Sequence, residues 1–281
     1  MRRLAWLAFG ATLLLAVAAE AQTLERVRAS GTFKIGFRED AEPFSFKDRQ
    51  GEPAGFSIEL CRLIATQVRQ TLGLDELTIE YVPLGTEDRF QAVRDGRIDI
   101  LCSADTVTLS RRELVDFSLF TFLDGAAVLL RADSPEDLSG LAGQKIGVRG
   151  STTTEDALRN TLAKLDMKAE VVPVSSHDEG RAKLEAGEIA AYFGDQAILI
   201  FLAKQSAAPG KLKLSDQQFT FEPYALALAR GDDDFRLLID RTLAQTYRSG
   251  RIDVVFKSAF GDNANPTPAL RALYLINGLV E

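Results

Sequence analysis

Apolar positions recur at helical spacing in some segments of the chain and as short runs in others. Ile58, Cys61, Ala65, Val68 and Leu72 follow one another at intervals of three or four residues, which places them on one face of a helix. Short apolar runs that end in small or polar residues predict buried strands. Because helices alternate with such strands, the pattern predicts parallel sheets that are covered by helices on both faces.

This pattern of strand, loop and helix occurs twice. Lys34–Arg38 has the sequence KIGFR and Lys145–Arg149 has the sequence KIGVR, and each predicts a buried strand that leads into a helix, the second over Thr154–Leu165. A second pair of segments follows in the same order. Phe90–Leu101 and Lys183–Phe193 each predict a helix, a glycine and a strand. Two such units in one chain predict two similar α/β lobes.

The N-terminus predicts a cleavable signal peptide over residues 1–21. Arg2 and Arg3 precede an apolar run from Leu4 to Ala19, and Ala19-Glu20-Ala21 supplies small residues at the spacing that a signal peptidase requires. The run has sixteen residues, short of the roughly 20 that span a bilayer. An uncleaved anchor is the disfavoured alternative, and no cysteine follows for lipid attachment. We therefore expect export to an oxidising compartment.

Charge and composition narrow the classes of function. The chain has 281 residues and a net charge of −7, which disfavours binding to nucleic acid or to an anionic membrane surface. One histidine and two cysteines do not form a zinc motif, so no metal is predicted. Neither a phosphate-binding glycine loop nor a nucleophile elbow is present. We predict a binding protein that is not an enzyme and has no cofactor.

The loops at the carboxyl ends of the predicted strands are where ligands bind in open α/β sheets. Thr108 is the predicted N-cap of a short helix, and Arg111 follows one turn later, so free amides and a guanidinium together could receive a carboxylate. Thr86 and Arg89 repeat this arrangement before another helix. For each pair the alternative is a capped surface helix with a solvated arginine.

Three further segments carry candidate ligand groups. Gly150–Glu155 begins a helix with Thr152 and Glu155 at capping-box spacing, and it contains four consecutive hydroxyl residues. Asp195 follows a predicted strand and could either cap the next helix or bind an ammonium group. Arg38 follows the first strand and either faces a cleft or pairs with a neighbouring acid.

The order of these motifs resembles the periplasmic solute-binding proteins of polar amino-acid ABC importers. The resemblance rests on GxR at 36–38, PFSF at 43–46, GF at 55–56, GRID at 96–99, TxxR at 108–111, VDFS at 115–118, GVxGST at 147–152 and Asp195. The run from Gly96 to Ser118 is its most specific part.

The resemblance implies the type II periplasmic-binding fold, with two Rossmann-like lobes joined by a hinge of two crossing strands. Residues 22–122 plus 225–281 would form lobe 1, and residues 123–224 would form lobe 2. The crossings would lie near Phe122–Gly125 and Pro223–Ala225. Phe260–Glu281 would pack a last helix on lobe 1.

The resemblance also assigns a role to each candidate residue. Arg111 would bind the α-carboxylate of the ligand, with help from Thr106, Ser151 and Thr152, and Asp195 would bind the α-ammonium group. Ala104 departs from the pattern, because many members have a serine at this place.

The side chain of the ligand is predicted from two more positions. Glutamate/aspartate-binding members have an arginine that matches Arg38 and a Ser/Thr-x-x-Arg motif that matches Thr86–Arg89. Two added cations suit a second carboxylate, so we expect L-glutamate or L-aspartate as ligand. Those members also use a histidine near residue 179. In this chain Glu179 takes that place, and His177, two positions earlier, is interpreted as structural.

The resemblance therefore implies a monomeric solute-binding protein that closes on an L-amino acid and delivers it to the membrane subunits of an ABC permease. The alternatives are a sensor that docks to a membrane receptor and a dehydratase-like enzyme on the same fold. Cys61 and Cys102 fall in the same lobe and could form a disulfide, or they could stay as two buried thiols.

Overall fold

The computed structural model describes residues 22–135 and 138–280, so the predicted signal peptide lies outside the described residues. The strands are β1 (Thr32–Phe37), β2 (Asp40–Ala41), β3 (Ser45–Lys47), β4 (Pro53–Ala54), β5 (Thr78–Pro83), β6 (Ile100–Leu101), β7 (Asp116–Asp124), β8 (Ala126–Arg131), β9 (Lys145–Arg149), β10 (Glu170–Val174), β11 (Ala191–Asp195), β12 (Leu212–Leu214) and β13 (Glu222–Leu228).

The α-helices are α1 (Thr23–Ser30), α2 (Phe56–Leu72), α3 (Arg89–Arg94), α4 (Leu109–Arg112), α5 (Thr153–Lys164), α6 (His177–Glu185), α7 (Gln196–Gln205), α8 (Asp233–Arg248), α9 (Arg251–Phe260) and α10 (Pro268–Asn277). Within the described residues, none of these helices is both long enough and apolar enough to cross a membrane.

Two five-stranded sheets organise the fold. The first has the strand order β5-β1-β6-β13-β7, and the second has the order β10-β9-β11-β8-β12. β1 is parallel to both of its neighbours, and β9 is parallel to both of its own. The two KIGxR segments thus occupy equivalent places in the two sheets. This mixed α/β architecture agrees with the fold class that the sequence predicts.

The glycine in each repeat has a packing reason. A Cβ atom at Gly36 would clash with the side chain of Ile98, and a Cβ atom at Gly147 would clash with the side chain of Ile189. Both isoleucines belong to the second pair of similar segments and are almost fully buried. The two repeats therefore specify the same close contact, because each glycine makes room for the isoleucine of the neighbouring segment.

The chain passes between the sheets at two places. β7 of the first sheet ends at Asp124, and β8 of the second sheet begins two residues later. The second crossing runs from the second sheet back to the first and lies between Phe219 and Glu222. The Phe219 amide donates to the carbonyl of Ala126 in β8, and Glu222 pairs with Asp124 in β7. These two crossings lie side by side. The division into lobes at residues 122/123 and 224/225 stays a prediction.

Several helices are close to their predicted positions. On α2, Ile58, Cys61, Ala65 and Val68 are buried as their spacing predicts. A disulfide joins Cys61 to Cys102, which follows β6, and so fixes α2 to the first sheet. Helix α10 packs against strand β7 of the first sheet and against helix α8.

The structure corrects three predicted boundaries. The sequence predicts strand starts at Ile98 and Ile189, whereas β6 begins at Ile100 and β11 at Ala191. Just before each strand, a single amide, that of Asp99 or of Ala190, donates to the neighbouring strand. α3 has Asp88 rather than Thr86 at its N-cap. The prediction that Thr86 caps this helix is therefore wrong.

Candidate functional site

The carboxyl ends of the parallel strands carry most of the candidate residues. Arg38 follows β1, and Thr106 lies shortly after β6 in the first sheet, while Arg149 and Asp195 end β9 and β11 of the second sheet. The two sheet edges are in contact. The Thr106 hydroxyl lies 3.2 Å from the hydroxyl of Thr153 at the start of α5. The structure therefore has its two sheets closed over a shared site.

A narrow cavity of about 10 Å³ lies between these edges. Six of the eight predicted site residues line it, namely Arg38, Arg89, Thr106, Arg111, Thr152 and Asp195. The remaining lining residues are Ala104, Arg149, Thr153, Thr154, His177 and Gly194. Larger grooves on the outer surface, such as the one between α2 and α8, contain none of the predicted residues.

Two predicted site residues do not line the cavity. The Thr86 hydroxyl donates to the Gly150 carbonyl at 2.9 Å, so Thr86 connects the two sheets instead. Ser151 has a left-handed φ of 57° and an exposed side chain, and its amide donates to the Glu155 carboxylate at 3.0 Å. This turn directs the Ser151 hydroxyl away from the cavity. Thr153 and Thr154 line the cavity, whereas Ser151 does not.

The geometry around Arg111 matches the predicted capped helix. The Thr108 hydroxyl accepts from the Arg111 amide at 3.1 Å, which confirms Thr108 as the N-cap. The Arg111 guanidinium donates to the Thr106 carbonyl at 2.7 Å and lies 4.9 Å from the centre of the Phe90 ring. These contacts fix the guanidinium at the cavity wall, and no carboxylate of residues 22–135 and 138–280 pairs with it, so it can still receive an anion.

Asp195 lies on the opposite wall, among other acids. It occupies the N-cap position of α7 but makes no capping bond, and instead its Oδ1 accepts from the Thr154 hydroxyl at 2.9 Å. Burial and the charge of Glu222 raise the pKa of Asp195 to about 7. Burial and the charge of Asp195 also raise the pKa of Asp124. A bound cation would relieve this repulsion and lower the pKa of Asp195.

Arg89 is a buried cation that is already paired. Its side chain is about 3% exposed, its Nε donates to Asp105 Oδ1 at 2.6 Å, and it also bonds to the Thr86 carbonyl. Burial lowers the pKa of Arg89, and the positive charge of Arg111 nearby acts in the same direction. Arg89 therefore adds a positive charge beside Arg111. The carboxylate of Asp105 balances the charge of Arg89.

Asp40 connects two other arginines of the cavity wall. Its Oδ1 accepts from Arg38 Nη2 at 2.6 Å, and its Oδ2 accepts from Arg149 Nε at 3.1 Å and from the His177 amide at 3.3 Å. Burial alone would raise the pKa of Asp40, but the charges of Arg38 and Arg149 outweigh it and hold that pKa well below its usual range. The carboxylate is therefore ionised at neutral pH.

His177, and not Glu179, lines the cavity, so the expected match of Glu179 to the ligand-binding histidine is wrong. His177 begins α6, is about 3% exposed, and bonds through Nδ1 to the Tyr192 hydroxyl at 2.9 Å. Burial and the neighbouring charge of Arg38 lower the pKa of His177 to about 3, so the ring is neutral. Glu179 is absent from the cavity wall, and its carboxylate accepts from the Ser175 amide at 2.8 Å.

Sequence reasoning missed Arg149, Thr153 and Thr154, although signals for them were present. Arg149 is the last residue of the second KIGxR segment and corresponds there to Arg38. Thr153 and Thr154 belong to the run of hydroxyl residues after Gly150. The repeat and the run thus marked these positions, whereas the resemblance assigned only their neighbours.

The charges of the site favour an anionic group in the cavity. Four guanidiniums line the wall, and Asp40, Asp105 and Asp195 are the carboxylates that line the cavity or pair with those guanidiniums. Positive charge is therefore in excess on the side of Arg38 and Arg149, and negative charge dominates at Asp195. Within residues 22–135 and 138–280, no cluster of acids, histidine and cysteine has the arrangement of a metal site.

Comparisons with known proteins show the family to which the chain is similar. The family model of bacterial extracellular solute-binding proteins, family 3, matches residues 33–262. The L-glutamate/L-aspartate-binding protein of Pseudomonas aeruginosa is 28% identical over 240 residues, which are 85% of this chain and 80% of that protein. The glutamate/aspartate import solute-binding protein of Escherichia coli K12 is 26% identical over 254 residues, 90% and 83% of the two chains.

Solved structures show the same architecture. An ancestral arginine-binding protein bound to glutamine has a TM-score of 0.72 at 28% identity and covers 83% of this chain and 99% of its own. The ancestral amino-acid-binding protein AncCDT-1, a precursor of cyclohexadienyl dehydratase, has a TM-score of 0.75 at 27% identity and covers 85% and 99%. These likenesses confirm the predicted type II periplasmic-binding fold.

Proposed function

This chain belongs to the family 3 bacterial extracellular solute-binding proteins, and from that premise we propose that it captures L-glutamate or L-aspartate between two closing lobes and delivers it to an ABC permease. One observation carries the proposal. Arg111 and Asp195 line the same cavity, Arg111 from the side of the first sheet and Asp195 from the second, and further guanidiniums line that cavity beside them. A zwitterion with a second carboxylate matches this distribution of charge.

The α-carboxylate of the ligand is assigned to Arg111. Its guanidinium has no carboxylate partner among the described residues, and its bond to the Thr106 carbonyl orients it. Thr152 lies at the N-cap of α5 on the facing wall, where the amides of the first helical turn favour an anion. The two walls together would hold the carboxylate from both sides.

The α-ammonium group is assigned to Asp195. Burial and the charge of Glu222 raise its pKa to about 7, so a ligand cation at this place removes repulsion and adds an ion pair. The Thr154 hydroxyl already orients the carboxylate at 2.9 Å. Because Asp195 and Arg111 come from different sheets, a zwitterion that contacts both stabilises the closed form by its differential affinity.

The second carboxylate of the ligand is assigned to the side of the cavity formed by Arg38, Arg89 and His177. Burying a ligand carboxylate costs free energy unless it is paired, and guanidiniums supply that pairing. Some solved neighbours are named for arginine. An arginine ligand would place a fifth guanidinium beside four others here, whereas the names of several curated relatives include glutamate and aspartate.

We further propose that residues 1–21 direct export to the periplasm, where the mature chain acts as a monomer and the closed form is recognised by the permease. Three relatives are named as glutamate/aspartate-binding proteins, which agrees with capture rather than turnover. Recovery of the bound amino acid in unchanged form would agree with this view.

The test is a thermal-shift panel of the twenty amino acids on the mature chain, which is unfolded and refolded beforehand to remove any bound ligand. A ligand at 100 times its dissociation constant stabilises the folded state by about 2.7 kcal/mol. We expect the largest shifts from L-glutamate and L-aspartate. Larger shifts from arginine or glutamine, or conversion of the ligand to a product, would contradict the proposal.

A further inference from the structure

We propose that Arg149 is a specificity-determining residue that the second sheet contributes to the side-chain end of the cavity, where Asp40 of the opposite lobe positions it. This inference rests on the proposed function and extends it. Arg149 is the arginine of the second KIGxR segment, and it corresponds to Arg38 of the first. The repeat thus supplies one guanidinium from each sheet to the same cavity.

The two repeat arginines meet at a single carboxylate. Asp40 accepts from Arg38 on Oδ1 at 2.6 Å and from Arg149 on Oδ2 at 3.1 Å. The side chains of Arg38, Asp40 and Arg149 are 4%, 18% and 13% exposed, so the cluster is largely removed from water. Each lobe therefore contributes one arginine, and the shared carboxylate fixes the distance between the two guanidiniums in the closed form.

This cluster has one more positive than negative charge. His177 contacts Asp40 only through its amide, and its ring has a pKa of about 3 and is neutral. Within the described parts of the chain, Arg38 Nη1 and Arg149 Nη2 have no protein acceptor, whereas the other nitrogens of these guanidiniums are bonded to Asp40 or to the Val174 carbonyl. The remaining donors can receive a second carboxylate, and a ligand carboxylate supplies it.

The arrangement distinguishes an acidic side chain from its amide. A carboxylate at this place neutralises the excess charge and accepts from both arginines. A carboxamide of the same shape is uncharged. Its NH₂ group is a donor and would face a guanidinium, which is also a donor, so no hydrogen bond forms between them. Because Arg149 belongs to the second lobe, this discrimination requires closure. The open form would hold Arg38 and Asp40 without the second guanidinium.

The experiment compares L-glutamate with L-glutamine on the refolded mature chain. Calorimetry or thermal shift measures both affinities for the wild type, Arg149→Gln, Arg149→Lys and the control Arg131→Gln. Arg131 is another arginine at the end of a strand of the second sheet, but it donates to the Ile189 carbonyl at 3.1 Å and does not line the cavity. Arg149→Gln leaves Asp40 paired with Arg38, and the unfolding midpoint checks that each variant is folded.

We expect Arg149→Gln to lower glutamate affinity by about ten- to a hundredfold, the range for a hydrogen bond between charged groups, and glutamine affinity by less than about threefold. Arg149→Lys should recover part of the preference for glutamate, and Arg131→Gln should change neither affinity. An equal loss for both ligands, no loss for either, or no recovery with lysine would overturn the role of Arg149 while the proposed function stands. A wild type that binds neither acidic amino acid would overturn both.

Discussion

The neutral state of His177 predicts how the free energy of unfolding depends on pH. It is the only histidine of the chain, and burial together with the charge of Arg38 lowers its pKa to about 3 in the folded protein. In the unfolded chain a histidine has a pKa of about 6.5. Between these two values the unfolded state binds a proton that the folded state does not. Folding stability contributed by this group therefore falls as the pH falls below about 6.5.

The size of the effect follows from the distance between the working pH and the unfolded pKa. At about pH 5, roughly 1.5 pH units below that value, the cost is about 2 kcal/mol relative to about pH 7.5. Asp195 acts in the opposite direction, because its folded pKa of about 7 lies above the unfolded value and favours folding as the pH falls. A comparison with a variant that keeps Asp195 cancels this second contribution.

The variant is His177→Asn, whose amide group can still reach the Tyr192 hydroxyl that His177 Nδ1 contacts at 2.9 Å. Urea unfolding is followed by far-UV circular dichroism and by tyrosine fluorescence at both pH values, and coincident transitions check that unfolding is two-state. We expect the wild type to lose about 2 kcal/mol more than the variant between the two pH values. Equal losses would refute the buried, neutral histidine.

Four further predictions concern the ligand contacts and the disulfide. Arg111→Gln should lower the affinity for every bound amino acid by at least about tenfold in calorimetry, because it removes the guanidinium assigned to the α-carboxylate. Glutamate affinity should fall by about tenfold per pH unit below pH 7, since ammonium binding requires ionised Asp195, and Asp195→Asn should abolish this dependence. Arg89→Ala should abolish binding of acidic amino acids, and unchanged affinity would contradict its role. Reduction of the Cys61–Cys102 disulfide should lower the free energy of unfolding by about 3–4 kcal/mol in urea titrations, and two reactive thiols in denatured, unreduced protein would contradict the bridge.

Local sequence patterns predicted the parts of the site that depend on local structure. Thr108 and Arg111 belong to one helix start, and the hydroxyl-to-amide bond between them forms within four residues. Thr152 is likewise identified by its spacing from Glu155. Such caps can be found from sequence because the side chain and the amide that it accepts from are three positions apart.

Contacts across the cleft could not be predicted in the same way. The bond between Asp40 and Arg149 joins residues 109 positions apart, and no local pattern indicates it. Thr86 has the sequence of a cap, but its hydroxyl bonds to the carbonyl of Gly150 on the other lobe. Ser151 shows the opposite case, since a left-handed φ in the turn directs a promising hydroxyl outward. The first two outcomes depend on contacts between distant segments and the third on the backbone conformation of one turn, and no residue pattern near these positions indicates either.

We propose that Arg111 and Asp195 bind the two ends of one zwitterion, while the other guanidiniums of the cavity bind its side chain. A crystal structure of the refolded mature chain with L-glutamate tests it directly. We expect the α-carboxylate on Arg111, the ammonium group on Asp195 and the second carboxylate beside Arg38, Arg89 and Arg149. Glutamate bound in the reverse orientation, or bound outside the cavity that these residues line, would contradict the account.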